Sequence, residues 1–467
     1  MNSKILEKIK SDAILHDIIA NFDNEIYLVG GVVRDFLMGK TSNDRDLLIF
    51  DVCAREFSLK IAEFFNAAFV PLDEVNKIYR VVMPDKINYL DITNPLENSL
   101  EKDLKRRDLT INALAVNIKT GEILDVTGGL NDLNSGIIRI ISEKNIVDDP
   151  LRILRIFRFQ AQTGFEISSK TLEAAEKFRE LLGKPAVERI NYEIMHLFSG
   201  KYSSGALSKM DEAGILEQIF PIVNELKKVT PNTHHHLRLF EHCLETSHRI
   251  GEIYETASDE VKEHLEKVDF GGYSRLSHLK LAGFLHDIGK FSTWTIEEDT
   301  GRHRFIKHDD VGAKMVVAIM KKLAFSNKQT DYVSSMIKNH IYPAAVMSAP
   351  LINEKIMMRY VRKMDKNSID AIILAQADRL SARGPAITDK MVEDNISALN
   401  RLLNFYLSVR DTLQPLPKLL SGNDVMKILN IKPSPKLGEI MDALHEAQIN
   451  GDVLTVEHAV EFVKTFE

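Results

Sequence analysis

The hydrophobic pattern changes period near residue 145, and this change constrains the fold more than any other feature of the chain. Residues 25 to about 140 alternate short apolar runs with helical stretches. EIYLVG, RDLLIF, FVPL, YRVVM and INYLDI read as strands, with period-2 stretches that send alternate side chains to opposite faces. GGVVRDFLMG reads as a turn and a helix, DVCAREFSLKIAEFF as a helix, and LTINALAVNI as a strand closed by the turn Thr120-Gly121. Beyond about residue 145, apolar residues recur at three- and four-residue spacing and β-branched alternation disappears. The expected fold class is therefore α+β, a small N-terminal α/β head followed by a mostly α-helical body. Pro221, Pro231, the acidic stretch 255–267 and the proline-bearing run LQPLPKLLSG (413–422) are the expected seams.

Composition excludes several classes. A chain of 467 residues has ample length for a buried core and for two to four domains. It has no run of about 18 uncharged apolar residues, so no membrane span is expected. MNSKILEKIKSDAILHDII reads as one amphipathic helix carrying acids, not as a signal peptide. Two cysteines, Cys53 and Cys243, each stand in an apolar run and read as buried thiols of a reducing cytoplasm. The net charge of -7 argues against a generic nucleic-acid coat. It leaves room for a local basic groove built from Lys105-Arg106-Arg107 and from Arg152, Arg155 and Arg158.

Three pieces of the head carry chemistry. Gly30-Gly31 lies between a strand and a helix, where bare backbone N–H groups can approach phosphates and the helix N-terminus favours anions. Asp44 and Asp46 flank Arg45 at the start of RDLLIF, and in a strand residues i and i+2 share a face. Two carboxylates so close repel unless a cation lies between them, and Mg²⁺ accepts such hard oxygen ligands together with substrate phosphates. Asp91, in NYLDIT, sits on a strand that could bring a third acid beside the pair. Each piece alone also fits a tight turn or a solvated strand end. Together they suit two-metal nucleotidyl transfer, in which the protein positions reactants and neutralises developing charge.

The order of longer blocks carries a family resemblance. LVGGVVRDFLMG…NDRDL, LEKDLKRRDLTINALAV, DVTGGLNDL, DDPLRILRIFRF and VERINYEIMHLF follow one another across about residues 25–225. This resembles the class II tRNA nucleotidyltransferases and their relatives, the bacterial poly(A) polymerases. The resemblance implies a polymerase-β-like mixed sheet in a nucleotidyltransferase head at 1–140 and a helical nucleotide-reading and RNA-binding neck at 141–225. It further implies that Gly30, Gly31 and Arg34 hold the triphosphate and that Asp44 and Asp46 hold Mg²⁺. Arg106, Arg107 and Asp108 would contact the ribose and the incoming nucleotide, and Asp149 and Arg152 would read the base. Arg155 and Arg158 follow one and two turns along the same helix, and Glu188 and Arg189 would support it. The base reading is chemically sound: a carboxylate accepts from the exocyclic amine of cytosine or adenine, and a guanidinium donates to a ring acceptor. Read without the resemblance, Asp149 and Arg152 are an i, i+3 ion pair on a helix face.

A second constellation lies in the body. LKLAGFLHDIGK carries His286-Asp287, with His242 upstream, Asp378 downstream, and His308 and His340 between. Imidazole suits transition metals, and an adjacent carboxylate adds a hard ligand. The order resembles the HD superfamily of metal phosphohydrolases, which implies an HD metal domain at 226–412 holding a transition metal, with a helical tail at 413–467. His308 and His340 stand where binuclear members have extra ligands. His234-His235-His236 reads as a loop leading into a helix.

The expected function is addition of C and/or A from CTP and ATP to the 3′ end of tRNA by a cytoplasmic enzyme. Between INYLDI and LEKDLKRRD stands only TNPLENS, which makes the chain similar to relatives that add CC alone or A alone. Competing readings are a poly(A) polymerase, an HD phosphohydrolase whose head only binds RNA, and a non-catalytic RNA-binding regulator. The Asp44/Asp46 pair speaks against the binding-only heads.

Overall fold

The computed structural model describes residues 2–233, 235–349 and 351–466. The chain forms two compact units, Met1–Pro221 and Ile222–Glu467.

The first unit is built on seven strands: β1 (Ile26–Val29), β2 (Asp44–Ile49), β3 (Ala68–Asp73), β4 (Ile78–Val82), β5 (Tyr89–Thr93), β6 (Leu114–Asn117) and β7 (Ile123–Asp125). They pair in the order β3-β4-β5-β2-β1-β6-β7. β2 and β5 run parallel, and the other pairs are antiparallel. Strand alternation sends Leu28, Leu47, Ile49, Val81, Leu90, Ile92, Leu114 and Val116 into one buried cluster with Phe57 and Ile61 of the helix Ala54–Phe64. The alternate positions, Asp44, Asp46 and Asp91 among them, are left for the other face.

Two expectations in this unit are corrected. The N-terminal segment is two helices, Asn2–Ser11 and Ala13–Asn21, because Asp12 leaves the helical path and caps the second by accepting from Leu15 N at 3.1 Å. Arg45 holds the same carboxylate at 2.7 Å. LTINALAVNI is strand only over Leu114–Asn117, and Thr110–Asn112 forms a 3-10 turn. Its polar side chains decide this: Thr110 donates to Asp132, and Asn112 bridges Arg34 and Asp108.

Helices follow the sheet. Arg152–Thr163 buries Ile153, Leu154, Ile156, Phe157 and Phe159. It packs on Val187–Ser199, whose Ile190, Ile194, Leu197 and Phe198 are buried at three- and four-residue spacing.

The second unit is mostly helical. Arg275–Leu285 is buried along nearly its whole length. Around it lie Leu239–Thr256, Asn327–Asn339 and Ser368–Ser381. The expectation of an almost wholly helical body misses a hairpin, Trp294–Ile296 with His303–Phe305, too short for its alternation to register in the sequence. The tail folds as the three helices Gly422–Leu429, Pro435–Asn450 and Val456–Lys464 around Val425, Ile440, Leu444, Ala459 and Val463. It docks on the helix Glu354–Met364, where Arg359 donates to Asn450 O at 2.8 Å. Cys243 is buried as expected, whereas Cys53 is exposed, at the N-cap of Ala54–Phe64. Among the described residues no helix is long and apolar enough to cross a membrane.

Candidate functional site

In the head, sheet register gathers the acids. The parallel pairing of β2 with β5 sets Asp46 directly opposite Asp91. Asp44, Asp46 and Asp91 each offer an oxygen, and these lie within 4.8 Å of one another. Burial first, then Asp44 and Asp91, pushes the Asp46 carboxyl up to about 7 although Arg107 pulls it down. Burial and Asp91 likewise raise Asp44. Such a cluster fits a divalent cation, which would supply the missing positive charge.

Gly30 closes this site from β1. Its φ is 82°, and a Cβ there would stand 2.8 Å from Arg107 Nη1 and 2.9 Å from Asp46 Oδ2. Only glycine admits both the left-handed backbone and the close approach. Gly31 opens the helix Gly31–Leu37, on which Arg34 is bound by Asn112 Oδ1 at 2.6 Å and by Asp35 at 2.8 Å.

The RRD segment divides its work. Buried Asp103 holds Arg106 at 2.7 Å and Arg107 at 3.2 Å. The Arg106 side chain is half exposed, whereas Arg107 and Asp108 line a cleft of about 580 Å³ with Asp149, Arg152, Arg155 and Glu188. Burial would raise the Asp108 carboxyl, but Arg155, 2.7 Å away, and donors from Leu109 and Asn112 bring it down to about 2. Arg158 lies behind, paired with buried Glu193 at 3.2 Å.

Asp149 and Arg152 are not the helix-face pair read from their spacing. Asp149 is extended in the turn between Glu143–Asp148 and Arg152–Thr163. It accepts from Arg189 Nη2 at 2.9 Å, while Arg152 donates to Arg107 O at 3.2 Å. Both line the cleft, as does Tyr192, an exposed aromatic whose ring centroid lies 4.2 Å from that of His196. Tyr192 and Glu193 escaped the sequence reading because their helix positions alone do not say which face meets the cleft.

The connection TNPLENS is pinned. Asn94 donates to Ile49 O and Val52 O and accepts from Ala54 N. Glu97 and Asn98 are both left-handed, with φ of 50° and 54°, and Ser99 caps the next helix.

In the second unit the expected ligands converge. His242 Nε2 lies 3.4 Å from Asp287 Oδ2 and 3.1 Å from Asp378 Oδ1. His286 Nε2 is 3.2 Å from Asp287 Oδ2, and His308 and His340 lie 3.4 and 3.5 Å from Asp287 Oδ1. Asp287 thus faces two half-sites, one per oxygen. The Nδ1 atoms of His286, His308 and His340 meet the carbonyls of Gly283, Phe305 and Ile337, so each Nδ1 carries the proton and each Nε2 offers its lone pair inward. His242 Nε2, His286 Nε2 and both Asp287 oxygens are buried without an aligned hydrogen bond. The donor set fits a transition metal. Lys290, which follows His286-Asp287 in the sequence without an expected role, stands 2.6 Å from Asp287 Oδ2. A cleft of about 290 Å³ adjoins the cluster, with Lys290, Arg379 and Asn395 among its walls. His235 also lines it, its ring centroid 4.6 Å from that of His242, and burial and Lys290 push it down to about 2. His236 accepts from Arg383 N, and His234 lies outside the described residues.

Comparison with known proteins gives three family matches along the chain. Residues 26–139 match the poly A polymerase head domain, 164–227 the "probable RNA and SrmB- binding site of polymerase A", and 239–383 the HD domain. The A-adding tRNA nucleotidyltransferase of Deinococcus radiodurans is 31% identical over 442 residues, covering 94% of each chain. The CC-adding tRNA nucleotidyltransferase of Thermus thermophilus is 29% identical over 448 residues, covering 94% of this chain and 93% of its own. The fold is shared with the Thermotoga maritima CCA-adding enzyme complexed with tRNA, at a TM-score of 0.57 and 20% identity over 100% of this chain and 98% of that one. It is shared also with a CCA-adding enzyme in complex with ATP, at a TM-score of 0.60 and 20% identity, covering 100% and 98%.

Proposed function

This chain belongs to the tRNA nucleotidyltransferase family, and from that membership we propose that it adds C and/or A to the 3′ end of tRNA in the cytoplasm, from CTP and ATP with Mg²⁺. The observation that carries the proposal is that Arg107, which stands beside Asp46 of the Asp44/Asp46/Asp91 cluster, also lines the cleft that offers Asp149 and Arg152 to a base edge.

In the proposed reaction the terminal 3′-hydroxyl of the RNA attacks the α-phosphorus of the triphosphate. A new P–O bond forms, the bond from the α-phosphorus to the bridging oxygen breaks, the hydroxyl proton passes to solvent, and pyrophosphate leaves. Asp44 and Asp46 would hold Mg²⁺, which activates the hydroxyl and stabilises the leaving oxygen when bound. Gly30, Gly31 and Arg34 would take the triphosphate, and Arg107 and Asp108 the ribose side. Arg106 has the weaker part in this account, since its half-exposed side chain is tied to buried Asp103. Asp149 accepts the amine that C and A share, and Arg152 donates beside it. Arg155 and Arg158 fix the reading helix through Asp108 and Glu193. The pinned, short TNPLENS connection favours addition of CC alone or A alone, because a held loop cannot reshape the pocket between bases. Replacing Asp44 and Asp46 by Ala tests the core: nucleotide addition should disappear while tRNA binding persists, and unchanged addition would remove the metal assignment.

A second reading applies to the second unit, where His242, His286, Asp287, His308, His340 and Asp378 converge beside a cationic cleft. We propose a transition-metal phosphohydrolase there, with Lys290 and Arg379 facing a phosphate. Hydrolysis of a chromogenic phosphodiester by the intact chain, lost in His286→Ala, would support it; metal-independent turnover would not.

A further inference from the structure

Four residues form a row across one face of the head sheet. The register sets Val29 beside Asp46, Asp46 beside Asp91, and Asp91 beside Arg80. Arg80, on β4, sends two parallel donors into Asp91, Nε to Oδ1 and Nη2 to Oδ2, each at 2.7 Å. Its guanidinium also lies over the Tyr89 ring, 3.9 Å from the centroid. Tyr89 stands two residues from Asp91 on the same strand and therefore on the same face. Arg80 is thus held from two sides, by a bidentate carboxylate and by an aromatic plate.

This arrangement sorts the three carboxylates. Both oxygens of Asp91 are already engaged, whereas among the described residues no side chain donates a hydrogen bond to the Asp44 or Asp46 carboxylate, Arg107 approaching Asp46 without one. We propose that Arg80 is a positioning residue for nucleotidyl transfer: it occupies Asp91 and confines the divalent cation to the Asp44/Asp46 pair. This rests on the transferase reading of the head and departs from the assignment of Asp91 as a direct participant. Without Arg80, a third carboxylate would face the ion and draw it away from the substrate phosphate. A surface ion pair of purely structural value would leave metal affinity alone.

The two roles separate in a metal titration of the full chain. Mn²⁺ alone serves as the probe, and the isotherm of an Asp44→Asn/Asp46→Asn variant is subtracted to remove sites elsewhere, the histidine cluster included. Arg80→Met frees Asp91 and deletes a nearby positive charge, so Mn²⁺ affinity at the head should rise roughly tenfold. Nucleotide addition should fall at the same time. Asp91→Asn deletes a nearby negative charge but no ligand, so Mn²⁺ affinity should fall by no more than about tenfold. Arg80→Lys, which keeps the charge, should restore the low affinity. Tighter metal with slower addition is a pairing that simple unfolding cannot produce. The proposal fails if Asp91→Asn abolishes head-site Mn²⁺ binding, or if Arg80→Met leaves the affinity unchanged or lowers it. Failure of the transferase reading would appear separately, as absent nucleotide addition by the unmodified chain.

Discussion

Asp149 is held by Arg189, forty positions away, whose Nη2 lies 2.9 Å from Oδ2. The contact links the turn before Arg152–Thr163 to the first turn of Val187–Ser199. It fixes the carboxylate at the cleft wall, where in the proposed role it accepts from an amine and repels a carbonyl. Asp149→Ala should therefore narrow the preference of kcat/KM for CTP or ATP over UTP by about 10- to 100-fold. Arg189→Ala should do the same more weakly, since the acceptor remains. Steady-state extension with each triphosphate measures both, and full retention of selectivity in Asp149→Ala would remove the reading role.

Asp108 gives a pH dependence with a definite sign. Its carboxyl is held down at about 2, against 3.8 for an ordinary aspartate, by Arg155 and its hydrogen-bond donors working against burial. A depressed folded value stabilises the fold above the unfolded value and loses that stabilisation as pH falls. The window lies between about pH 4 and pH 2, and the effect is about 2 kcal/mol. Asp108→Asn should be less stable at neutral pH and should flatten that part of the stability curve. Denaturant unfolding from pH 5 to pH 2.5 compares the two.

Asp46 carries the opposite sign. Burial and the facing Asp44 and Asp91 outweigh Arg107 and Arg80 and raise it to about 7. Its contribution is full below the unfolded value of 3.8 and is lost as pH rises through about 7. Asp46→Asn should then stabilise the metal-free chain at pH 8, with the difference shrinking towards pH 4. Melting in a chelator tests this; a variant that melts lower at pH 8 would contradict the account of repulsion.

The second unit depends on a buried network centred on Asp370. It accepts from Arg275, His264 and Tyr332 at 2.9, 2.7 and 2.6 Å, and it lies two turns before Asp378 on the same helix. Asp370→Ala would leave the buried Arg275 guanidinium without its main partner. A loss of roughly 3–5 kcal/mol is expected in this unit, visible as a lowered melting step.

Asp287 offers one oxygen to each half of the histidine cluster. Asp287→Asn should abolish transition-metal binding there, measured as metal content after dialysis, while tRNA extension persists. Retained metal at the level of the intact chain would rule out Asp287 as the shared ligand.

Much of this was legible in the sequence where chemistry follows local spacing. Asp44 and Asp46 share a strand face by alternation alone, and the HD ligands announce themselves by type and order. Pairing across the sheet was not legible. Arg80 was one residue of YRVVM until register placed it against Asp91. Sequence distance alone pairs Asp149 with Arg152 on a helix face, whereas a non-helical turn directs it to Arg189. Asp370 and Arg275 carry no motif, so only burial reveals them.

The central claim is tested most directly by extension of three tRNA transcripts with Mg²⁺: one lacking CCA, one ending in C and one ending in CC. Each receives CTP, ATP or both, with products resolved to single nucleotides. Either CC without A, or A added only to the CC-ending transcript, is the expected result. Complete CCA would show that the pinned TNPLENS connection does not restrict the pocket, and no addition to any transcript would contradict the transferase assignment itself.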